Sequence, residues 1–88
     1  MRNGLEIDKY GNKRWFLNDK IHRVNKPAIE YSSGTKCWYL NNKLHRSDGP
    51  AVEFKDGDKE WILDGVNLTE EEYLQVTRKN KLTELLYI

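Results

Sequence analysis

Eighty-eight residues with a formal net charge of +1 bound the chain to one small domain, near the size at which an isolated core is only marginally stable. One cysteine, Cys37, excludes an intramolecular disulfide framework and fits a reducing compartment; no apolar run reaches the length of a signal peptide or a membrane span, so a soluble cytoplasmic protein is expected. The small net charge conceals a dipole in sequence: residues 1–46 carry ten Lys/Arg against four Asp/Glu, residues 47–77 two against nine, and residues 78–88 three against one. Such a split disfavours a long nucleic-acid duplex as partner and suits head-to-tail self-association or a partner with its own charge asymmetry.

One phrase recurs at a constant step of 23 residues. Gly11, Trp15 and Leu17 return as Gly34, Trp38 and Leu40, then as Gly57, Trp61 and Leu63. His22-Arg23 matches His45-Arg46, Pro27-Ala28 matches Pro50-Ala51, and Glu30 matches Glu53. The chain is a repeat protein, and stacking of neighbouring repeats must supply much of its burial. Residues 1–10 are a partial leading copy, 11–33 the first repeat, 34–56 the second and 57–68 a truncated third, with a helical cap over 69–88.

In chain order, Leu5 to Ile7 reads as the second strand of the incomplete leading copy. Lys13 to Asn18 and Lys36 to Asn41 are aromatic-rich strands ending in the turn formers Asn18-Asp19 and Asn41-Asn42, with Asp64-Gly65 as the third such turn. Pro-Ala leads into second strands at Ala28 to Tyr31 and Ala51 to Phe54, and Ser33-Gly34 and Asp56-Gly57 reverse the chain. The expected fold is mostly β: an antiparallel meander of about six strands capped by a C-terminal helix.

Side-chain alternation places Trp15/Leu17, Trp38/Leu40 and Trp61/Leu63 on one face, a Trp ladder expected to form the core. Leu5/Ile7, Ile29/Tyr31 and Val52/Phe54 form a further apolar row. The opposite face of the first strands carries Phe16, Tyr39 and Ile62 beside Arg14, Cys37 and Glu60. Two readings stand for these six residues: an outward protein-binding surface, or a face packed under residues 82–88.

Thr69-Glu70-Glu71-Glu72 is a capping box, so a helix starts at about Glu70. Arg78 to Lys81 offers no apolar stripe and is either an exposed turn of one long helix or a break before Leu82. The segment from Leu82 to Ile88 is expected to dock on the sheet or on another subunit.

The run from Trp38 to Phe54, Trp-Tyr-Leu-Asn-Asn-Lys-Leu-His-Arg-Ser-Asp-Gly-Pro-Ala-Val-Glu-Phe, resembles the variant MORN-type repeats of many small bacteriophage and large-virus proteins. The resemblance covers residues 11–65 and departs from the pattern at Asn25-Lys26, which replaces Asp-Gly, and at Leu68, which replaces His. It implies β-hairpin modules that serve as interaction surfaces, a viral source and a host-directed binding role.

His22 and His45, each followed by an arginine (Arg23, Arg46), could contact an anion or, with Asp48, form an acid–base pair. The stronger reading has each His-Arg pair bonding an adjacent turn or a carboxylate such as Glu30 or Glu53. Asp48-Gly49-Pro50 reads as turn chemistry, with Gly49 free to take positive φ. No metal, cofactor or catalytic residue is assigned. The expected function is binding of a host protein, with a homodimer through sheet edges or the second apolar row; the alternatives are a nucleic-acid-binding module or nucleic-acid mimic, and less so a His-dependent phosphodiesterase.

Overall fold

The computed structural model describes residues 1–86, with side chains through residue 80. Ten short strands precede one helix: β1 (Gly4–Ile7), β2 (Lys13–Leu17), β3 (Lys20–Ile21), β4 (Ile29–Glu30), β5 (Lys36–Cys37), β6 (Tyr39–Leu40), β7 (Lys43–Leu44), β8 (Val52–Glu53), β9 (Lys59–Leu63), β10 (Val66–Leu68) and α1 (Glu70–Leu86). Every pairing is antiparallel, and the main sheet runs β1-β2-β4-β5-β8-β9-β10, with β3 on β2 and a separate β6-β7 hairpin. The strands outnumber the expected six because the return segment after each aromatic strand also pairs, as Phe16 with Ile21, Tyr39 with Leu44 and Ile62 with Asn67.

Two turn types carry the repeat. At the hairpin tips both central residues take positive φ: 50° and 65° at Asn18-Asp19, 50° and 66° at Asn41-Asn42, and 48° and 78° at Asp64-Gly65. This is the type I′ conformation, whose twist matches the strands and which Asn, Asp and Gly tolerate best. Between repeats, Tyr31 N–H donates to Thr35 O and Gly34 N–H to Tyr31 O, with Gly34 at φ 107°. The same bonds recur from Asp8 and Phe54, so these are three-residue loops closed by a glycine in the left-handed region.

Register corrects the expected core. Cross-strand partners place Arg14, Ile29, Cys37, Val52 and Glu60 in one row on one face, with Phe16 and Ile62 two residues further along their strands. Ile29, Cys37, Val52 and Ile62 are buried there in one cluster with Ala51, against which Ile21, Tyr39 and Leu44 of the hairpins pack. The hairpins themselves cover this face, since each rests on the next: Asn42 N–H donates to Ile21 O, and Arg23 N–H to Tyr39 O. The Trp face is the second layer instead. Trp38 is buried while Trp15 and Trp61 are half-buried, and Leu17 is exposed.

Leu5 and Ile7 also change rows. Leu5 opposes Trp15 and Ile7 opposes Lys13, so both lie on the Trp face, opposite to Ile29 and Val52. In repeat phase Leu5 stands where Ala28 and Ala51 stand, and Ile7 where Glu30 and Glu53 do.

The cap forms as the sequence predicts. Glu72 N–H donates to Thr69 Oγ1 at 3.1 Å while Thr69 N–H donates to Glu72 Oε1 at 2.9 Å, the reciprocal bonds of a capping box. Those bonds hold the Glu72 carboxyl below its ordinary range. The helix runs unbroken from Glu70 to Leu86, so the polar run at 78–81 is part of one helix. Docking of residues 82–88 falls on side chains outside the described residues. Among the described residues, no helix is long and apolar enough to cross a membrane.

Candidate interaction surface

The Trp face is assembled from a repeated clasp. In the first copy the Arg23 guanidinium lies 3.7 Å from the Trp15 ring centroid and donates through Nη1 to Pro27 O at 3.2 Å and to Glu30 Oε2 at 3.4 Å. In the second, Arg46 lies 3.8 Å from Trp38, with Nη1 bonds of 3.1 Å to Pro50 O and 2.7 Å to Glu53 Oε2, and an Nε bond of 3.0 Å to Asp48. Stacking on an indole and pairing with a carboxylate use the guanidinium's flat face and its forked donors together. Both arginines are thereby committed to the fold.

The histidines are committed too. His22 Nδ1 accepts the Asn41 backbone N–H at 3.0 Å, and His45 Nδ1 accepts that of Asp64 at 2.9 Å. Each ring ties its hairpin to the tip of the next one, and an acceptor Nδ1 places the ring proton on Nε2. No acid–base pair with Asp48 forms, because Asp48 bonds Arg46. Among the described residues, no group of three His, Cys, Asp or Glu is placed to hold a metal ion.

The third copy lacks both residues, having Leu68 and Thr69 in their places, and Tyr73 of α1 takes over. Its ring packs 5.0 Å from that of Trp61, its hydroxyl donates to Arg46 O, and it accepts the Gly49 N–H at 3.2 Å. Burial pushes the Tyr73 hydroxyl up from its ordinary pKa. Glycine at 49 makes room for the Arg46 guanidinium: its φ is not positive, and a Cβ there would lie 2.8 Å from Arg46 Cζ, so any other residue displaces that clasp. In the first copy, Lys26 occupies the equivalent place and the loop turns instead at Asn25, with φ 65°.

Charged side chains on the Trp face alternate. Lys13, Glu30, Lys36, Glu53 and Lys59 are successive cross-strand neighbours, so the lysines are interleaved with carboxylates and form no continuous basic stripe. Arg14 is likewise paired, at 3.0 Å from Asp8.

The expected six-residue outward surface does not form. Phe16, Cys37 and Ile62 are buried, Tyr39 is half-buried against the core cluster, and Arg14 and Glu60 flank it. Burial, with Glu60 nearby, pushes the Cys37 thiol up, the wrong direction for a nucleophile. Apolar side chains are exposed at both ends of the Trp face: at one end Val66 (58%), opposite Leu63, and Leu74 (46%) of α1 are exposed, while at the other Leu5 (47%), Ile7 (58%) and Leu17 (45%) group beside Trp15. Tyr10, on the adjoining turn, is exposed as well. The phase mismatch of Leu5 and Ile7 with Ala28 and Glu30 was the available signal for this surface.

Compared with family models, curated proteins and solved structures, the chain matches none of them.

Proposed function

We propose that the chain is a small, non-enzymatic protein-binding module that engages its target through the N-terminal end of the Trp face, with Leu5, Ile7 and Leu17 as the contact. The observation that carries this reading is the grouping of three exposed aliphatic side chains on the paired strands β1 and β2. Trp61 is covered by Tyr73 and Trp38 by Arg46, whereas at the other end Arg23 covers Trp15 and leaves the three aliphatic side chains in water. Exposed apolar side chains grouped on paired strands, beside a strand edge with no partner among the described residues, are features that protein interfaces use. The interleaved lysines and glutamates weigh against nucleic acid as the ligand.

The setting comes from the resemblance to bacteriophage and large-virus repeats: an accessory protein that binds a host protein and blocks or redirects it, a defence complex among the candidates. Affinity capture of the tagged chain from host lysate, with and without nuclease, tests the reading. One dominant protein recovered in both conditions is the expected result. Recovery of nucleic acid alone, or loss of every protein after nuclease treatment, would replace this reading with a nucleic-acid module.

A further inference from the structure

A cleft recurs between successive loops of the array, and α1 changes what its last copy offers. Between the first two repeats the cleft holds about 240 Å³ and is lined by His22, Val24, Asn25 and Leu40 together with His45, Arg46 and Asp48 of the following loop. One repeat later His45, Ser47, Asp48 and Leu63 stand in the places of His22, Val24, Asn25 and Leu40. The third copy has the end of β10 and the start of α1 where the earlier copies have the His-Arg loop, so Leu74, Thr77, Arg78 and Asn80 line this second cleft instead. Its volume is about 670 Å³. Organic ligands occupy clefts of about 300–1,000 Å³, so the second cleft reaches that size and the first does not.

The two clefts also differ in which donors are already engaged. In the smaller one Arg46 is spent on Trp38, Glu53 and Asp48. In the larger one the arginine is Arg78, which has no hydrogen bond or ion pair among the described residues. The helix positions three and four residues from it, Leu74, Gln75, Lys81 and Leu82, carry no acid to pair with it. His45 uses Nδ1 to accept the Asp64 N–H at 2.9 Å, which leaves its Nε2–H as a second unengaged donor. The Thr77 hydroxyl is spent on the helix carbonyls of Tyr73 and Leu74.

The remaining wall groups settle the charge. Among the described residues, Asp48 is the one carboxylate lining the cleft, and Arg46 Nε holds it at 3.0 Å. Asp64, whose Oδ1 lies 3.5 Å from His45 Nδ1, is not part of the lining. The uncompensated charge is therefore the Arg78 guanidinium, and Leu63 and Leu74 place aliphatic surface in the same cleft.

We propose that this cleft binds a small organic anion, a carboxylate joined to a short apolar body. The carboxylate meets the forked donors of Arg78 and the Nε2–H of His45, and the apolar body lies on Leu63 and Leu74. A cation would be repelled by Arg78, and a wholly apolar ligand would take the guanidinium out of water with nothing to pair it. The site goes beyond the protein-binding reading and does not depend on it, since Leu5, Ile7 and Leu17 lie at the other end of the Trp face.

Titration of the isotope-labelled chain with hexanoate, followed by NMR, tests the site. Amide signals of Leu63, Leu74 and Thr77 and the ring nitrogens of His45 should move together, with a dissociation constant of about 1 mM. Arg78→Gln should weaken binding about tenfold, and Arg78→Lys, which keeps the charge but not the fork, should lose less. Arg78 is exposed on α1, so signals away from the cleft should coincide with wild type in both variants. Hexylamine has the same chain with the opposite charge, and inorganic phosphate has charge with no chain; each should bind at least about tenfold more weakly than hexanoate. Hexanoate that leaves the cleft signals in place, hexylamine or phosphate that matches it, or an Arg78→Gln chain of unchanged affinity would overturn the proposal. Capture of a target protein is read separately and is unaffected by any of these outcomes.

Discussion

The two ends of the Trp face are built from the same repeat and finished in opposite ways. At the C-terminal end a helix brings in Tyr73, which replaces a missing arginine on Trp61 and anchors the preceding loop through Arg46 O and Gly49 N–H. At the N-terminal end the leading copy contributes a strand and Arg2, which lies over Phe16 rather than over a tryptophan, and Leu5, Ile7 and Leu17 remain exposed. A repeat array needs a cap wherever its neighbour is missing. Here α1 packs on Trp61 through Tyr73, whereas Leu5, Ile7 and Leu17 are about half exposed, and that grouping supports the proposed binding surface.

The largest effect should come from removing the cap. Tyr73 is 2% exposed, and Tyr73→Ala is expected to cost about 3 kcal/mol by urea unfolding, because it opens a cavity beside Trp61 and strips two backbone partners. Tyr73→Phe keeps the ring and should cost about 1–2 kcal/mol. At the open end, Tyr10→Ala should change stability by less than about 0.5 kcal/mol. Equal losses from Tyr73→Ala and Tyr10→Ala would erase the distinction between the ends.

Next come the clasps, which differ in tightness along the same direction. Arg46 makes three side-chain bonds of 3.1 Å or less, against two longer ones for Arg23. Arg46→Ala should therefore cost roughly 2 kcal/mol and Arg23→Ala roughly 1 kcal/mol. Gly49→Ala, whose Cβ would displace the Arg46 guanidinium, should cost about 1 kcal/mol, and Lys26→Ala at the equivalent place almost nothing.

The smallest effect is a pH response confined to the leading hairpin. The Arg14 guanidinium and the Asn12 amide beside Asp8 hold its carboxyl at about 2. A depressed carboxyl stabilises the fold when ionised, so its contribution is present above the unfolded value of 3.8 and fades as pH falls toward 2. Amide signals of Tyr10 and Asn12, whose N–H groups donate to Asp8 Oδ1, should report loosening of that turn over this window. Glu72 at the other end, also depressed, should lose its capping contribution in the same direction. Amide signals of Tyr10 and Asn12 that stay unchanged from pH 4 to 2 would count against the Asp8 bonds.

Much of the architecture was legible in the sequence because repeats and turns are local. The 23-residue step, the Asn18-Asp19 and Asp64-Gly65 turns and the Thr69–Glu72 box all encode their own geometry. The layer assignment failed for a physical reason. Alternation says which residues share a face but not which face is covered, and Trp size suggested a core that instead lies around Ile29, Cys37, Val52 and Ile62. Arginine stacking makes a tryptophan row stable at the surface, and nothing in residue spacing distinguishes it from a buried ladder. Gly49 misled for a similar reason, since turns and steric crowding both select glycine. The equivalence of the His-Arg pairs across copies pointed to bonds with turns and carboxylates, which His22–Asn41, His45–Asp64, Arg23–Glu30 and Arg46–Glu53 make.

In the proposed function the target binds beside Trp15 rather than at the end that α1 packs on. Leu17 and Leu74 are matched for the test, being 45% and 46% exposed at opposite ends of the molecule. Affinity of the captured target protein should be measured for Leu17→Lys and Leu74→Lys, with unfolding checked in both. Binding should weaken at least about tenfold in Leu17→Lys and stay unchanged in Leu74→Lys. Intact binding by a folded Leu17→Lys chain, with loss in Leu74→Lys, would contradict it and move the interface to the helix.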